Sequence, residues 1–568
     1  MSVHQKTWYD DVRRFTSILV NIRSVSPGEA ENDAAEAVLR LLREDMPDDA
    51  YTASGLDPIV GDPWGRVNAY AFIRGDSADT VVLMGHLDTV DTTDYGRFEP
   101  WALDPDQLAT RLDALAAMTP DVAEDLAAAP GDWMFGRGVS DMKAGVAACI
   151  ALARRYAHMA RSGALPLSLV MIATPDEEVE SAGARQAARF LAWLRTREGL
   201  RYAGAINTDY ITARFLGDDQ RPLYTGTVGK VLPCFYAVGA PSHAGDPFAG
   251  LDVNRVVAEL IREFSMNPEY CESVRGQTTP PPVTLRATDT KQHYDAQLPF
   301  TAYLYLNVLT LECSPGDVLA WLRAGAETAL ARALAGVDAA EEVWNARAGR
   351  PRDASTRQTR TGAVTTWAEL WRELAERIGE ARLEREMTLT AESLPRELDS
   401  RERSLRLVER LWTLSERNGP AVVLYFAPPY YPAVPALPSP LLDALRETIA
   451  AHPELRLVEE EYFPLLSDMS YLRLDRNIDV DGLRHNMPVW RDEADGVPLS
   501  AGAYSLPLDA MRTLDMPVVN IGPYGKAAHQ RGERVLMSFG FEAVPQVIYE
   551  VIERLAQRSD RVAAQPAE

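Results

Sequence analysis

Two histidines and a group of carboxylates stand out because each follows a short apolar run. His86-Leu-Asp88 comes directly after Val81–Gly85. Asp176-Glu177-Glu178 closes the run Leu167–Ala173 through Thr174-Pro175. Asp209 follows Ala203–Ile206, and His529 follows Pro517–Ile521 across the loop Gly522-Pro-Tyr-Gly525. Asp141 lies in the segment Gly136-Arg-Gly-Val-Ser-Asp141-Met-Lys-Ala-Gly145, whose glycines allow a tight turn. In an open α/β sheet, functional side chains gather at the carboxyl ends of strands. Imidazoles and carboxylates together suit zinc or another divalent first-row metal. A carboxylate shared by two such ions would place them roughly 3.5–4 Å apart, able to activate water and bind a developing oxyanion.

Taken singly, each residue has a plainer reading. A lone histidine after a strand is more often structural than ligating, although Asp88 offers the carboxylate that fixes a ligating imidazole's tautomer. Asp141 alone reads as a helix N-cap, which would also hold it rigidly. Three adjacent carboxylates repel one another unless a cation or proton compensates, at little cost in a solvated loop. Adjacent residues point different ways, so one glutamate of the run is free to bind metal while the other handles a proton. Asp209 and His529 each have a loop reading. The set decides for a site: two histidines and several carboxylates at the ends of four separate apolar strands.

Those strands define the expected architecture. Short apolar runs alternate with helical stretches such as Ala144–Tyr156 and Gly183–Leu194, which predicts an α/β domain with a largely parallel central sheet flanked by helices. From about Thr225 the texture changes. Val231–Val238, a helix over Val253–Phe264, strands Val283–Ala287 and Ala302–Leu311, and a helix opening at Ser314-Pro-Gly-Asp317 describe an α+β domain interrupting the first. It carries a helical insert over 336–418, where Trp367, Leu370, Trp371, Leu374 and Ile378 share one helix face. The expected division is 1–225, 226–432 and 433–568, the outer pieces forming one catalytic domain. From Gln557 on, the chain reads as a frayed tail.

Composition narrows the function classes. The 568 residues hold 58 basic and 82 acidic side chains, a net charge of −24, which disfavours a nucleic-acid or anionic-membrane partner. No apolar run approaches the roughly 18 residues of a membrane span, and the first residues lack a signal-peptide layout. Cys149, Cys234, Cys271 and Cys313 lie far apart and read as isolated thiols. A soluble cytoplasmic protein is the expectation.

The motifs, in their order, resemble the co-catalytic dizinc amidohydrolase and peptidase superfamily, which includes glutamate carboxypeptidase, aminoacylase, acetylornithine deacetylase and succinyl-diaminopimelate desuccinylase. Met84-Gly-His-Leu-Asp-Thr-Val90, Gly136–Gly145 and Asp176-Glu-Glu178 carry the resemblance. Length and Phe426-Ala-Pro-Pro-Tyr-Tyr-Pro432 point to its arginine-utilisation (Roc-type) branch. The resemblance implies that His86 and Asp209 complete one metal site, Glu178 and His529 the other, with Asp141 bridging. It implies that Asp88 orients His86 and that Glu177 is the general base. Gly239-Ala-Pro-Ser-His243-Ala-Gly-Asp-Pro247 is similar to the family's lid motif, so His243 would stabilise the oxyanion, often across a homodimer contact through the lid. Two divalent ions are implied, zinc first, with cobalt or manganese as alternatives. The implied reaction is hydrolysis of an amide bond in a small N-acyl amino acid or short peptide. A catalytically inactive ligand- or metal-binding protein on the same scaffold is the alternative. The sequence departs from the family at Asp91, where a proline is usual, and at Leu309, where many relatives carry an arginine that binds a substrate carboxylate. Arg255 or another lid cation would then substitute.

Overall fold

The apolar runs ending near His86, Thr174 and Asn207 become neighbouring parallel strands in the computed structural model, which describes residues 8–163, 165–349, 360–475, 478–493 and 502–563. Asp79–His86 lies between Ser168–Thr174 and Arg201–Asn207, with His86 opposite Thr174 and Met84 opposite Asn207. Ser168–Thr174 is wholly buried, and Asp79–His86 is buried from Thr80 onward. Burial on both faces explains the near-continuous apolar texture of these runs.

These strands are the centre of an eight-stranded sheet in the order Ala53–Pro58, Val67–Ile73, Ser168–Thr174, Asp79–His86, Arg201–Asn207, Val518–Asn520, Arg221–Tyr224, Leu457–Glu460. Pairing is parallel through the middle, whereas Ala53–Pro58 and Val67–Ile73 add an antiparallel edge. Ala144–Arg161 packs on the two central strands, and Ala182–Glu198 packs on Val67–Ile73 and Ser168–Thr174. In the former helix Val146, Ile150 and Leu152 are fully buried, each contributing about 1.5–3 kcal/mol. This unit comprises the chain through Val228, Pro432–Asp475, and the chain from Leu506 on.

The second unit is built on a five-stranded sheet in the order Val283–Asp289, Thr301–Thr310, Gly229–Val238, Ala421–Tyr431, Ala363–Thr366. Helices Val253–Phe264 and Pro315–Arg347 pack together, the latter opened by a Ser314–Asp317 capping box. Leu309 faces Lys230 in register on the adjoining strand.

Three expectations need adjustment. The segment 336–418 is not all helix: Ala363–Thr366 pairs in parallel with Ala421–Leu424, its β-branched Val364, Thr365 and Thr366 suiting a sheet edge. The end of Pro315–Arg347 and the helices Trp367–Ile378, Glu380–Ser393 and Ser400–Ser415 make up most of the rest, while 350–359 lie outside the described residues. Second, residues 433–568 do not all stay with the first unit. Residues 432–475 do, but 478–493 and 502–505 join the second, where Asn486 accepts the Phe426 and Ala368 amides and the Trp490 and Tyr504 ring centroids lie 6.2 Å apart. Third, Gln557–Ala563 continues the helix Val544–Ala563, anchored upstream by buried Val547, Ile548, Val551, Ile552 and Leu555. No helix among the described residues is long and apolar enough to cross a membrane.

Candidate metal centre

His86 closes its strand with the ring buried. Its Nε2 lies 3.0 Å from Asp141 Oδ1, and its Nδ1 lies 3.1 Å from the Asp88 carbonyl and 3.5 Å from Asp88 Oδ1. The Asp88 carboxylate does something further. Oδ1 accepts the Glu177 amide at 3.0 Å and Oδ2 accepts the Glu178 amide at 3.0 Å, so it holds the acidic turn by its backbone.

That turn separates its three carboxylates. Asp176 stands at φ 74° and points to Arg66, itself paired with buried Glu31 and Asp62, while its second oxygen accepts the Ala182 amide. Arg66 therefore compensates Asp176. Glu178 Oε1 instead lies 3.0 Å from His529 Nε2, and Glu177 Oε2 lies 4.0 Å from His86 Nε2.

Asp141 is not an N-cap. The helix Ala144–Arg161 begins after it, past a cis Asp141–Met142 peptide, and the carboxylate is directed at two imidazoles: His86 through Oδ1 and His529, at 3.2 Å, through Oδ2. Asp209 is held by Asn520 on the adjacent strand, whose amide group accepts the Asp209 N–H at 3.0 Å and donates to its carbonyl at 2.8 Å. Gly522 permits this approach, since a Cβ there would fall 1.7 Å from the Asp209 carbonyl oxygen. His529 sits at φ 61° with its side chain about half exposed.

The side chains thus form two groups, His86–Asp141–Asp209 and Asp141–Glu178–His529. Within each, one ligand-type atom per residue lies within 4.8 Å of the others, and Asp141 belongs to both. Nitrogen and oxygen donors in threes, with a shared carboxylate, fit a pair of divalent cations.

The electrostatics agree with this fit. Burial first, then repulsion from Asp141, pushes the Asp209 carboxyl far above its ordinary range. Burial, with Asp468, Glu178 and Asp209 adding, does the same to Glu177 against the pull of His86. Burial opposes charge on both histidines, yet hydrogen bonds to carboxylates win: His86 is held well above its usual value and His529 is pushed up to about 11. The cluster holds protons where cations would serve.

Several contributing residues escaped the sequence reading. Arg137 lies inside the glycine-rich motif and Asn520 within a recognised strand, so a polar residue in either segment was a usable cue. Asp468, buried and accepting the Thr174 hydroxyl at 2.8 Å, and Glu533 had none, because both come from distant loops. Glu533 accepts the amides of Ser140 and Asp141, and burial raises its carboxyl to about 7 against the pull of Arg137. His243 lies in the second unit, exposed, its Nδ1 accepting the Gly245 amide at 3.0 Å.

A sequence profile for peptidase family M20/M25/M40 matches residues 82–486, a span that includes His86 through Asp209 and stops short of His529. The Bacillus subtilis (strain 168) protein YqjN is 32% identical over 564 residues, 97% of this chain and 97% of its own. RocB of the same organism is 29% identical over 562 residues, 96% of this chain and 95% of its own. Succinyl-diaminopimelate desuccinylase of Stenotrophomonas maltophilia (strain R551-3) is 29% identical over 204 residues, 35% of this chain and 46% of its own.

Proposed function

The chain belongs to peptidase family M20/M25/M40, a metal-dependent amide hydrolase, and on that premise we propose that it cleaves the amide bond of a small N-acyl amino acid or short peptide, with Glu177 as general base. The observation that carries the proposal is the pair of ligand groups sharing Asp141, with the Glu177 carboxylate beside the first of them. Partial likeness to a succinyl-diaminopimelate desuccinylase supports an acylated amino acid as the substrate class. Full-length likeness to RocB supports a place in the arginine-utilisation branch.

In this reading His86 and Asp209 hold one cation, Glu178 and His529 the other, and Asp141 both. Zinc suits the donor set, with cobalt and manganese as alternatives. The two cations would supply Lewis acidity toward a carbonyl oxygen and make a water easier to deprotonate. Glu177 does the proton work. Without cations its buried, acid-rich surroundings raise its proton affinity; two cations beside it would favour the ionised carboxylate, able to take a proton from water and hand it to the leaving nitrogen. Asp88 keeps that carboxylate in place by gripping the Glu177 amide. Because His243 Nδ1 accepts a hydrogen bond, Nε2 is the ring nitrogen that presents a donor for an oxyanion, supplied from a partner copy in a homodimer. In place of the arginine missing at Leu309, Arg255 or another lid cation is the proposed partner of a substrate carboxylate.

The test is turnover on a panel of N-acyl amino acids and dipeptides with zinc, cobalt or manganese added. Glu177→Gln lowers the rate by about 10²–10⁴-fold while metal content stays at the parent's level. Activity unaffected by chelation, or by Glu177→Gln, removes the proposal.

A further inference from the structure

Glu533 stands four residues beyond His529, yet its wholly buried side chain grips the segment that carries Asp141. One oxygen accepts the amides of Ser140 at 3.2 Å and Asp141 at 3.3 Å and the Ser140 hydroxyl at 3.2 Å. The other accepts Arg137 Nη1 at 2.8 Å. Arg137 is 1% exposed and turns two further donors to the segment after His86: Nε bonds the Asp91 carbonyl at 3.0 Å and Nη2 bonds the Asp94 carboxylate. The Glu533 carbonyl also accepts the Gly136 amide at 3.2 Å.

One buried pair therefore joins three stretches of chain: the one following His86, the one leading into Asp141, and the one following His529. These stretches supply the shared carboxylate and both imidazoles. A buried ion pair is by itself weak ground for stability, and its retention needs another account. A fully satisfied buried polar network, in contrast, fixes the groups it touches in one arrangement.

We propose that the Arg137–Glu533 pair is a strut that positions the Asp141 carboxylate between His86 and His529 and so sets the affinity of the site for its second cation. The proposal rests on the two-cation reading of the site. Glu533 is a positioning residue: its carboxylate bonds the Asp141 backbone amide and not the Asp141 carboxylate. Asp91, which departs from the usual proline, enters through its carbonyl, the anchor for Arg137 Nε. Residues that orient ligands from behind change metal affinity by about 10–100-fold when removed.

The test titrates cobalt(II) alone into the metal-free full chain, read by calorimetry and by visible absorption of the bound ion. Glu533→Gln keeps an acceptor for the Ser140 and Asp141 amides but removes the charge opposite Arg137. Glu533→Gln with Arg137→Met removes both charges, so no unmatched guanidinium is left buried, and it carries the test where the single variant fails to fold. The parent takes up two cobalt ions. The variants keep the first within a few-fold, bind the second about 10–100-fold more weakly, and shift its absorption band. A merely structural pair would lower the unfolding midpoint and leave affinity and spectrum alone, so a double variant with the parent's second-site affinity and absorption overturns the proposal. A parent that takes fewer than two ions overturns the two-cation reading instead, which keeps the two failures apart.

Discussion

Asp88→Asn tests whether the acidic turn is held from behind. Asp88 is fully buried, and its two oxygens accept the Glu177 and Glu178 amides, each at 3.0 Å. Asparagine matches its shape but keeps one acceptor and turns an NH₂ toward the second amide. One charge-assisted hydrogen bond becomes neutral, and the other is replaced by two donors facing each other. Hydrogen bonds to charged groups contribute about 1.5–3 kcal/mol, and an unsatisfied buried donor costs about 1–3 kcal/mol. A destabilisation of about 2–4 kcal/mol follows, measured by equilibrium urea unfolding of the metal-free chain. The turn carries both Glu177 and Glu178, and a misplacement of about 1 Å costs roughly 10²-fold in rate. With metal loaded, kcat therefore falls by about 10²-fold while KM changes little. A variant with the parent's unfolding midpoint and kcat refutes this reasoning. A loss confined to metal affinity, at unchanged stability, transfers the role of Asp88 to His86, whose Nδ1 lies 3.5 Å from Oδ1.

Three further outcomes are expected. In the cation-free chain His86 and His529 are held protonated, His529 up to about 11, and the Asp209 carboxyl is pushed far above its ordinary range, so loading near neutral pH releases at least about two protons and affinity rises with pH; calorimetry in buffers of different ionisation enthalpy counts them, and zero release contradicts the geometry. Burial lowers the Lys143 ammonium to about 7, so the unfolded chain binds more protons between there and the ordinary lysine value near 10.4. This group adds roughly 1.4 kcal/mol of stability per pH unit as pH rises through that window, and Lys143→Met flattens the profile relative to the parent; parallel profiles contradict it. Chelation of the loaded protein abolishes turnover and lowers the thermal midpoint, and zinc, cobalt or manganese restores both; a midpoint indifferent to chelation shows that the bound ions leave folding untouched.

Much of this site is visible in the sequence because its ligands sit at the ends of strands buried on both faces. Such strands read as apolar runs, and a histidine or acid immediately after one marks the carboxyl edge of a sheet. The runs before His86, Asp176 and Asp209 were found for this reason, and they extend by only a few residues in the structure, as Asp79–His86 shows against Val81–Gly85. Ala53–Pro58, only partly buried and without a sustained apolar run, gave no comparable pattern. Asp141 taken alone is ambiguous because an aspartate just before a helix also suits an N-cap, and the two imidazoles aimed at it decide between the readings. Glu533 and Asp468 were beyond reach, since what matters about them is which distant backbone or hydroxyl they meet. The strand Ala363–Thr366 was hidden by length, its four residues lying beside a strongly patterned helix.

Anomalous diffraction from crystals of the full chain grown with zinc or cobalt tests the central claim most directly. The account predicts two peaks roughly 3.5–4 Å apart, one against His86 and Asp209, the other against Glu178 and His529, with Asp141 between them. A single peak, or two peaks that do not share Asp141, contradicts it.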